Sequence, residues 1–119
     1  MSLNYDWRIV AKPVSQSDAK KLDKELEYWS EYSDLEGDVY STEFSTESMY
    51  DEEEIESAMR GFSKRYPNIE ITVYQKLDTE ECPDKNVYKD GDVRYFTGIT
   101  KYYEFDPKTG QTSQIADDE

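Results

Sequence analysis

Three stretches of the chain, residues 5–11, 38–48 and 68–77, carry apolar, aromatic or threonine side chains at every second position. Successive side chains of a β-strand point to opposite faces, so this alternation predicts three strands, each with one buried face. Hydrophobic residues make up only 35% of the chain and aromatic residues 14%, so tyrosine and tryptophan are expected to supply much of the core. The residues predicted to face inward are Tyr5, Trp7, Ile9, Ala11, Tyr40, Thr42, Phe44, Thr46, Ile69, Ile71 and Val73.

Two further stretches carry apolar residues at the spacing of an α-helix. In the first, Leu22, Leu26 and Trp29 follow one another at intervals of four and three residues. Ser17 is the predicted N-cap of this helix, and Gly37 is expected to close the segment.

The second helix is predicted between residues 51 and 66. Asp51 is its expected N-cap and Glu54 completes a capping box. Pro67 ends the pattern, because proline cannot continue a helix. The predicted buried side of this helix consists of Ile55, Ala58, Met59, Phe62 and Tyr66.

The C-terminal part of the chain predicts two β-hairpins. Asp90 and Gly91 lie between two strand-like runs, and Asp-Gly favours a two-residue hairpin turn. Residues 102–115 predict the second hairpin, with Pro107 and Gly110 in its turn.

Together these elements predict an α+β domain in which two helices pack on one face of a mixed or antiparallel sheet. The expected order is β-α-β-α-β-β, with a further strand from the last hairpin. The nearest named fold is the ferredoxin-like one, which has two consecutive strands after its first helix, whereas the pattern shows one. We expect a single domain over residues 1–115 and a frayed acidic tail at 116–119.

Acidic residues are concentrated in one part of the chain. The whole sequence has 28 acidic and 14 basic residues, but residues 31–60 contain eleven acids and a single base, Arg60. Acids in the first turn of a helix complement its dipole, which accounts for residues 51–54. It does not account for the acids between residues 31 and 47, so we expect a surface whose negative field has a role.

A negative surface limits the partners of the chain. Nucleic acid and anionic membranes repel it, so we expect neither as a direct partner and a basic nucleic-acid-binding protein instead. The predicted partner-binding residues are Asp34, Glu36, Asp38, Glu43, Glu47, Asp51, Glu52, Glu53, Glu54 and Glu56.

The sequence offers little for catalysis. It has no histidine, which excludes Ser–His and Cys–His nucleophile systems and imidazole metal ligands. Cys82 is the single cysteine, so no internal disulfide forms. The carboxylates of Asp34, Glu36 and Asp38 are of the type that hard cations prefer, but their spacing differs from that of a calcium loop. We expect a protein that is not an enzyme and has no cofactor and no metal.

No apolar run is long enough to span a bilayer, and no signal segment precedes the first strand. We therefore expect the protein in the cytoplasm.

In charge, length and tyrosine content the chain resembles the small acidic proteins that phages use against host defence. These include DNA mimics that block restriction enzymes and anti-CRISPR proteins that block RNA-guided nucleases. The resemblance is carried by residues 31–60, by the absence of histidine and by the single compact domain. It implies a non-enzymatic inhibitor of a host defence nuclease complex, acting in the host cell cytoplasm. The helix-to-strand step RYPNIEITVY, residues 65–74, also resembles ferredoxin-like domains of small phage proteins.

A second hypothesis uses the tyrosines of the hairpins. Tyrosine is favoured at protein interfaces, so these rings suit a generic protein-interaction or structural module. The same rings also suit a sheet packed under helices. The tyrosines concerned are Tyr88, Tyr95, Tyr102 and Tyr103.

Overall fold

The computed structural model of the protein describes residues 4–47, 50–77, 82–97, 103–106 and 111–114. These residues form a six-stranded sheet, a separate two-stranded sheet and two α-helices. The predicted α+β class is confirmed, and the six-stranded sheet is antiparallel throughout. The elements are β1 (Tyr5–Lys12), α1 (Gln16–Glu25), β2 (Ser33–Glu36), β3 (Val39–Thr46), α2 (Tyr50–Arg65), β4 (Glu70–Leu77), β5 (Asp84–Lys89), β6 (Asp92–Phe96), β7 (Tyr103–Asp106) and β8 (Gln111–Gln114).

The strands of the large sheet lie in the order β2-β3-β1-β4-β5-β6. The predicted element order is wrong after the first helix, because two strands follow α1 where one was expected. Gly37 and Asp38 form the turn between them, and Gly37 has a φ of 62° that glycine adopts without a steric penalty. Gly37 therefore turns a hairpin, and its predicted role at the end of the first helix is also wrong.

The core lies between the large sheet and the two helices. On the central strand, Ile9 lies opposite Thr42 of β3 and Val73 of β4. Leu22 of α1 and Met59 of α2 belong to the same buried cluster as these strand residues. Both helices thus cover one face of the sheet, as predicted.

The inward-facing residues predicted from the sequence are buried or half-buried. The indole N–H of Trp7 would be costly to bury without a partner, and it donates to the Thr46 hydroxyl at 2.8 Å. Threonine at this buried position therefore contributes a hydrogen bond to the core. Because its hydroxyl has this partner, a polar residue can occupy the buried face of a strand within an otherwise apolar alternating pattern.

Both helices begin earlier than predicted. Ser15, rather than Ser17, is the N-cap of α1, and its side chain accepts a hydrogen bond from the backbone N–H of Asp18. The buried Val14, whose N–H donates to the carbonyl of Asp38, fixes the chain just before this cap. α2 begins at Tyr50, so Asp51 lies within the first turn and is not the N-cap.

Both predicted hairpins are present. Asp90 and Gly91 join β5 to β6 with φ angles of 52° and 79°, as a type I′ turn requires. β7 and β8 pair antiparallel in the second sheet. Residues 107–110, with Pro107 and Gly110, and the tail 116–119 lie outside the described residues, so the domain limits stay predictions. Neither helix in the described part of the chain is long and apolar enough to cross a membrane.

Candidate acidic interface

Four of the ten predicted partner-binding acids lie on the β2–β3 hairpin. Asp34 and Glu36 belong to β2, Asp38 lies in the turn and Glu43 belongs to β3. Glu43 alternates with the buried Thr42, so its side chain is on the side of the sheet away from the helices. We call this side the open face; it carries residues 6, 8, 10, 12, 34, 36, 39, 41, 43, 45, 70, 72, 74, 76, 85, 87, 89, 92, 94 and 96.

Glu43 has a cationic neighbour on the open face. It lies directly opposite Arg8 of β1, and the Arg8 Nε and Glu43 Oε1 atoms are 3.9 Å apart. Both side chains are more than half exposed, so solvent screens the pair and its contribution is at most about 1 kcal/mol. Glu43 therefore remains available to another cation.

Asp51 is held by a hydrogen bond at the start of α2. The indole N–H of Trp29 donates to Asp51 Oδ1 at 3.0 Å, and both side chains are half-buried. This bond ties the first turn of α2 to the connection between α1 and β2. The neighbouring Glu52, Glu53 and Glu54 are exposed, and their charges complement the dipole of α2.

Glu56 is also engaged within the molecule. The Tyr95 hydroxyl of β6 donates to Glu56 Oε1 at 2.6 Å. This hydrogen bond requires the phenolic proton and raises the pKa of Tyr95 above its ordinary value. Glu56 thus helps to hold β6 against α2, a structural role that the sequence pattern did not indicate.

The ten acids do not lie on one face. Asp34, Glu36 and Glu43 are on the open face, whereas Glu52–Glu54 belong to the helix that covers the opposite face. Glu47 follows β3 and is exposed at the end of the sheet from which the chain enters α2. Seven of the ten acids therefore form two groups, a hairpin group (Asp34, Glu36, Asp38, Glu43) and a helix-start group (Glu52, Glu53, Glu54).

The tyrosines of the second hypothesis have different environments. Tyr88 is 1% exposed and belongs to the core, which agrees with the alternative that these rings pack in the sheet under the helices and excludes it as a contact residue. Tyr95 is 61% exposed; Tyr103 lies in β7, and Tyr102 lies outside the described residues. Sequence reasoning missed the most exposed rings in the described part of the chain, Tyr28 and Tyr32, which lie in the connection between α1 and β2.

No group of three or more histidine, cysteine, aspartate or glutamate residues in the described ranges is arranged to hold a metal ion. The chain matches no protein-family model, no curated protein and no solved structure. Function is therefore inferred from the charges and contacts of the chain itself.

Proposed function

We propose that the protein is a non-enzymatic acidic inhibitor that binds the basic nucleic-acid-binding surface of another protein. The partner is a nuclease complex of a host defence system, of the restriction or RNA-guided type, and the site of action is the host cell cytoplasm. One observation carries the proposal: eight of the ten predicted acids have exposed side chains, in a thirty-residue segment with one base. They are Asp34, Glu36, Asp38, Glu43, Glu47, Glu52, Glu53 and Glu54.

The physical basis is competition for the same cations. Duplex DNA presents about one negative charge per 1.7 Å of axis, and proteins that bind it line their grooves with lysine and arginine. Carboxylates pair with arginine in the same bidentate geometry as phosphate. Exposed carboxylates on a rigid sheet and helix can occupy such a groove, and the weak, solvent-screened pair between Arg8 and Glu43 is readily exchanged for a new one.

The field of the segment also favours fast association. Clustered charge steers an oppositely charged partner over about a Debye length, roughly 8 Å at physiological salt. Such an inhibitor is expected to bind strongly at low ionic strength and more weakly as salt rises. The formal net charge of −14 adds to this steering.

We also infer that residues 5–77 form a ferredoxin-like arrangement. The order β1-α1-β2-β3-α2-β4 and the sheet order β2-β3-β1-β4 support this inference. In this view β5 and β6 extend the sheet beyond β4, and the exposed acids lie at the opposite edge and on the second helix.

The test is inhibition of DNA cleavage. A panel of restriction enzymes and RNA-guided nucleases is titrated with the wild-type protein, and any inhibited nuclease is preincubated with excess duplex DNA. A nucleic-acid mimic is expected to compete with that DNA and to lose potency as salt rises. Inhibition that is independent of both DNA and salt contradicts the mimic mechanism, and a panel with no inhibited member contradicts the class of partner.

Charge reversal locates the surface. The variant Glu52→Lys/Glu53→Lys/Glu54→Lys is expected to inhibit at least about tenfold more weakly, because each exposed carboxylate contributes a few tenths of a kcal/mol or more to a steered complex. The matched control is Glu27→Lys/Glu70→Lys/Asp92→Lys, which makes the same charge change at exposed residues outside the predicted set. Equal loss in both variants assigns the effect to net charge and not to the helix-start group.

The alternative function is a protein-interaction module that uses exposed tyrosines. The 61% exposure of Tyr95 favours it, since a large exposed ring on a strand suits a contact surface. Under this alternative, binding survives high salt and fails in Tyr95→Ala, while the helix-start triple variant binds normally.

A further inference from the structure

The open face of the large sheet carries opposite charges at its two ends. One row of directly opposed residues crosses all six strands, and it begins with an acid on β2 and ends with a base on β6. The four residues between them are uncharged and half-buried. In order across the sheet the row is Asp34, Ser41, Val10, Thr72, Val87 and Arg94.

The neighbouring row repeats this polarity. It runs from Glu43 on β3 through Arg8 and Tyr74 on the central strands to Lys85 on β5 and Phe96 on β6. The Lys85 ammonium lies 5.0 Å from the centroid of the Phe96 ring. The β2–β3 side of the open face is therefore acidic, whereas the β5–β6 side is basic.

This arrangement is complementary to itself. A twofold axis that runs along the strands, between β1 and β4, would place the acidic side of one copy against the basic side of another. We propose that the open face is the interface of a symmetric dimer of this chain, in which β2 and β3 of each copy lie against β5 and β6 of the other.

The two rows define the contacts of the dimer. Asp34 of one copy faces Arg94 of the other, and Glu43 faces Lys85. At the axis, Val10 of one copy lies against Thr72 of the other, so the centre of the interface is uncharged. Glu36 of one copy lies near Asp92 of the other. This one pair of like charges is at the rim of the interface, because both residues belong to edge strands.

The dimensions of the face indicate a weak complex. Six strands about 4.8 Å apart, each contributing about 20 Å of length, give a footprint of roughly 500 Å² per copy. Standard protein interfaces bury about 800 Å² per partner, and this one is largely polar. The dimer is therefore expected to dissociate readily when salt screens its rim charges.

Within one copy, Asp34 and Arg94 are too far apart for their charges to interact. They are five strand spacings apart, about 24 Å, which is about three Debye lengths at physiological salt. A dependence of association on both residues therefore reports a contact between copies.

Sedimentation equilibrium of the full chain tests the proposal, in ~50 mM and ~500 mM sodium chloride. The wild type is expected to dimerise at low salt and to dissociate at high salt. Asp34→Arg alone and Arg94→Asp alone are each expected to weaken the dimer at least about tenfold, because each reverses two rim contacts.

An equimolar mixture of the two variants is the decisive sample. In the mixed dimer every arginine at position 34 or 94 faces an aspartate, so association is expected to return to the wild-type level. Recovery in the mixture also shows that both variants are folded. The matched controls Glu54→Arg and Lys64→Asp, which make the same charge changes on α2, are expected to leave the dimer unchanged.

Three results would overturn the proposal. The first is a monomer at every concentration in low salt, and the second is a dimer that neither single variant weakens. The third is that the monomer binds labelled oligothymidylate and that Arg94→Asp abolishes this binding. That result would assign the basic side to single-stranded nucleic acid. The helix-start group lies on the other side of the sheet, so inhibition that depends on Glu52–Glu54 and dimerisation that depends on Asp34 and Arg94 can fail separately.

Discussion

Replacing Asp51 by alanine separates its structural role from its charge. The substitution removes the acceptor of the Trp29 indole hydrogen bond, 3.0 Å long and half-buried. A hydrogen bond to a charged group contributes about 1.5–3 kcal/mol when buried, and partial exposure reduces this to about 1–2 kcal/mol. The lost interaction with the helix dipole adds about 0.3–1 kcal/mol. We expect a total loss of about 2 kcal/mol.

The measurement is urea unfolding followed by circular dichroism and tryptophan fluorescence, with a thermal melt beside it. A loss of about 2 kcal/mol corresponds to a fall in Tm of about 8 °C for a domain of this size. Glu52→Ala is the matched control, because Glu52 lies in the same turn but is exposed; its loss is expected to be only the dipole contribution, below about 1 kcal/mol. Asp51→Asn keeps an acceptor oxygen, so its loss of unfolding free energy is expected to lie between those of Asp51→Ala and Glu52→Ala.

A double-mutant cycle completes the experiment. Trp29→Phe removes the donor, so Asp51→Ala is expected to cost about 1 kcal/mol less in the Trp29→Phe background than in the wild type. Equal losses for Asp51→Ala and Glu52→Ala, with no coupling to Trp29, would refute the structural role assigned to Asp51.

Two further predictions concern buried polar groups. Thr46→Val is expected to cost about 1–3 kcal/mol in urea unfolding, because it leaves the Trp7 indole N–H unpaired in the core; the same substitution in a Trp7→Phe background should cost much less. Burial raises the pKa of Tyr88 to about 12 from 10.0, and burial with the hydrogen bond to Asp23 raises the pKa of Tyr40 further. Because folding favours the protonated phenols, their contribution to stability is complete below about pH 10 and is lost as pH rises through the folded pKa values. Unfolding free energies measured up to about pH 12 should therefore fall, and the fall should be smaller in Tyr88→Phe; an equal fall in that variant contradicts the assignment.

The buried faces of the main elements could be predicted from the sequence. Ile9 on β1, Met59 on α2 and Ile71 on β4 are buried where their spacing indicates. The periodicity of a helix or a strand depends on residues only a few positions apart in the chain. A short window of sequence therefore indicates which face is buried. The Asp90–Gly91 turn is local in the same sense.

The β2 strand could not be recognised in this way. Its four residues, Ser33–Glu36, include one apolar side chain, Leu35, which is too few for an alternating pattern. β2 exists because β3 pairs with it and Gly37 permits the turn. Pairing with a neighbouring strand is a tertiary contact, and it changed the element order after the first helix.

The concentration of net negative charge in residues 31–60 and the buried side of each long element can be read from the sequence. Which acids share a face depends on the tertiary structure. Strand register put Glu43 on the open face beside Arg8, and the packing of α2 put Glu54 on the other side of the sheet. The basic side of the open face could not be predicted from the sequence either, because Lys85 and Arg94 come together only when β5 pairs with β6. Composition is a sum over the chain, whereas a binding surface depends on which distant residues the fold brings side by side.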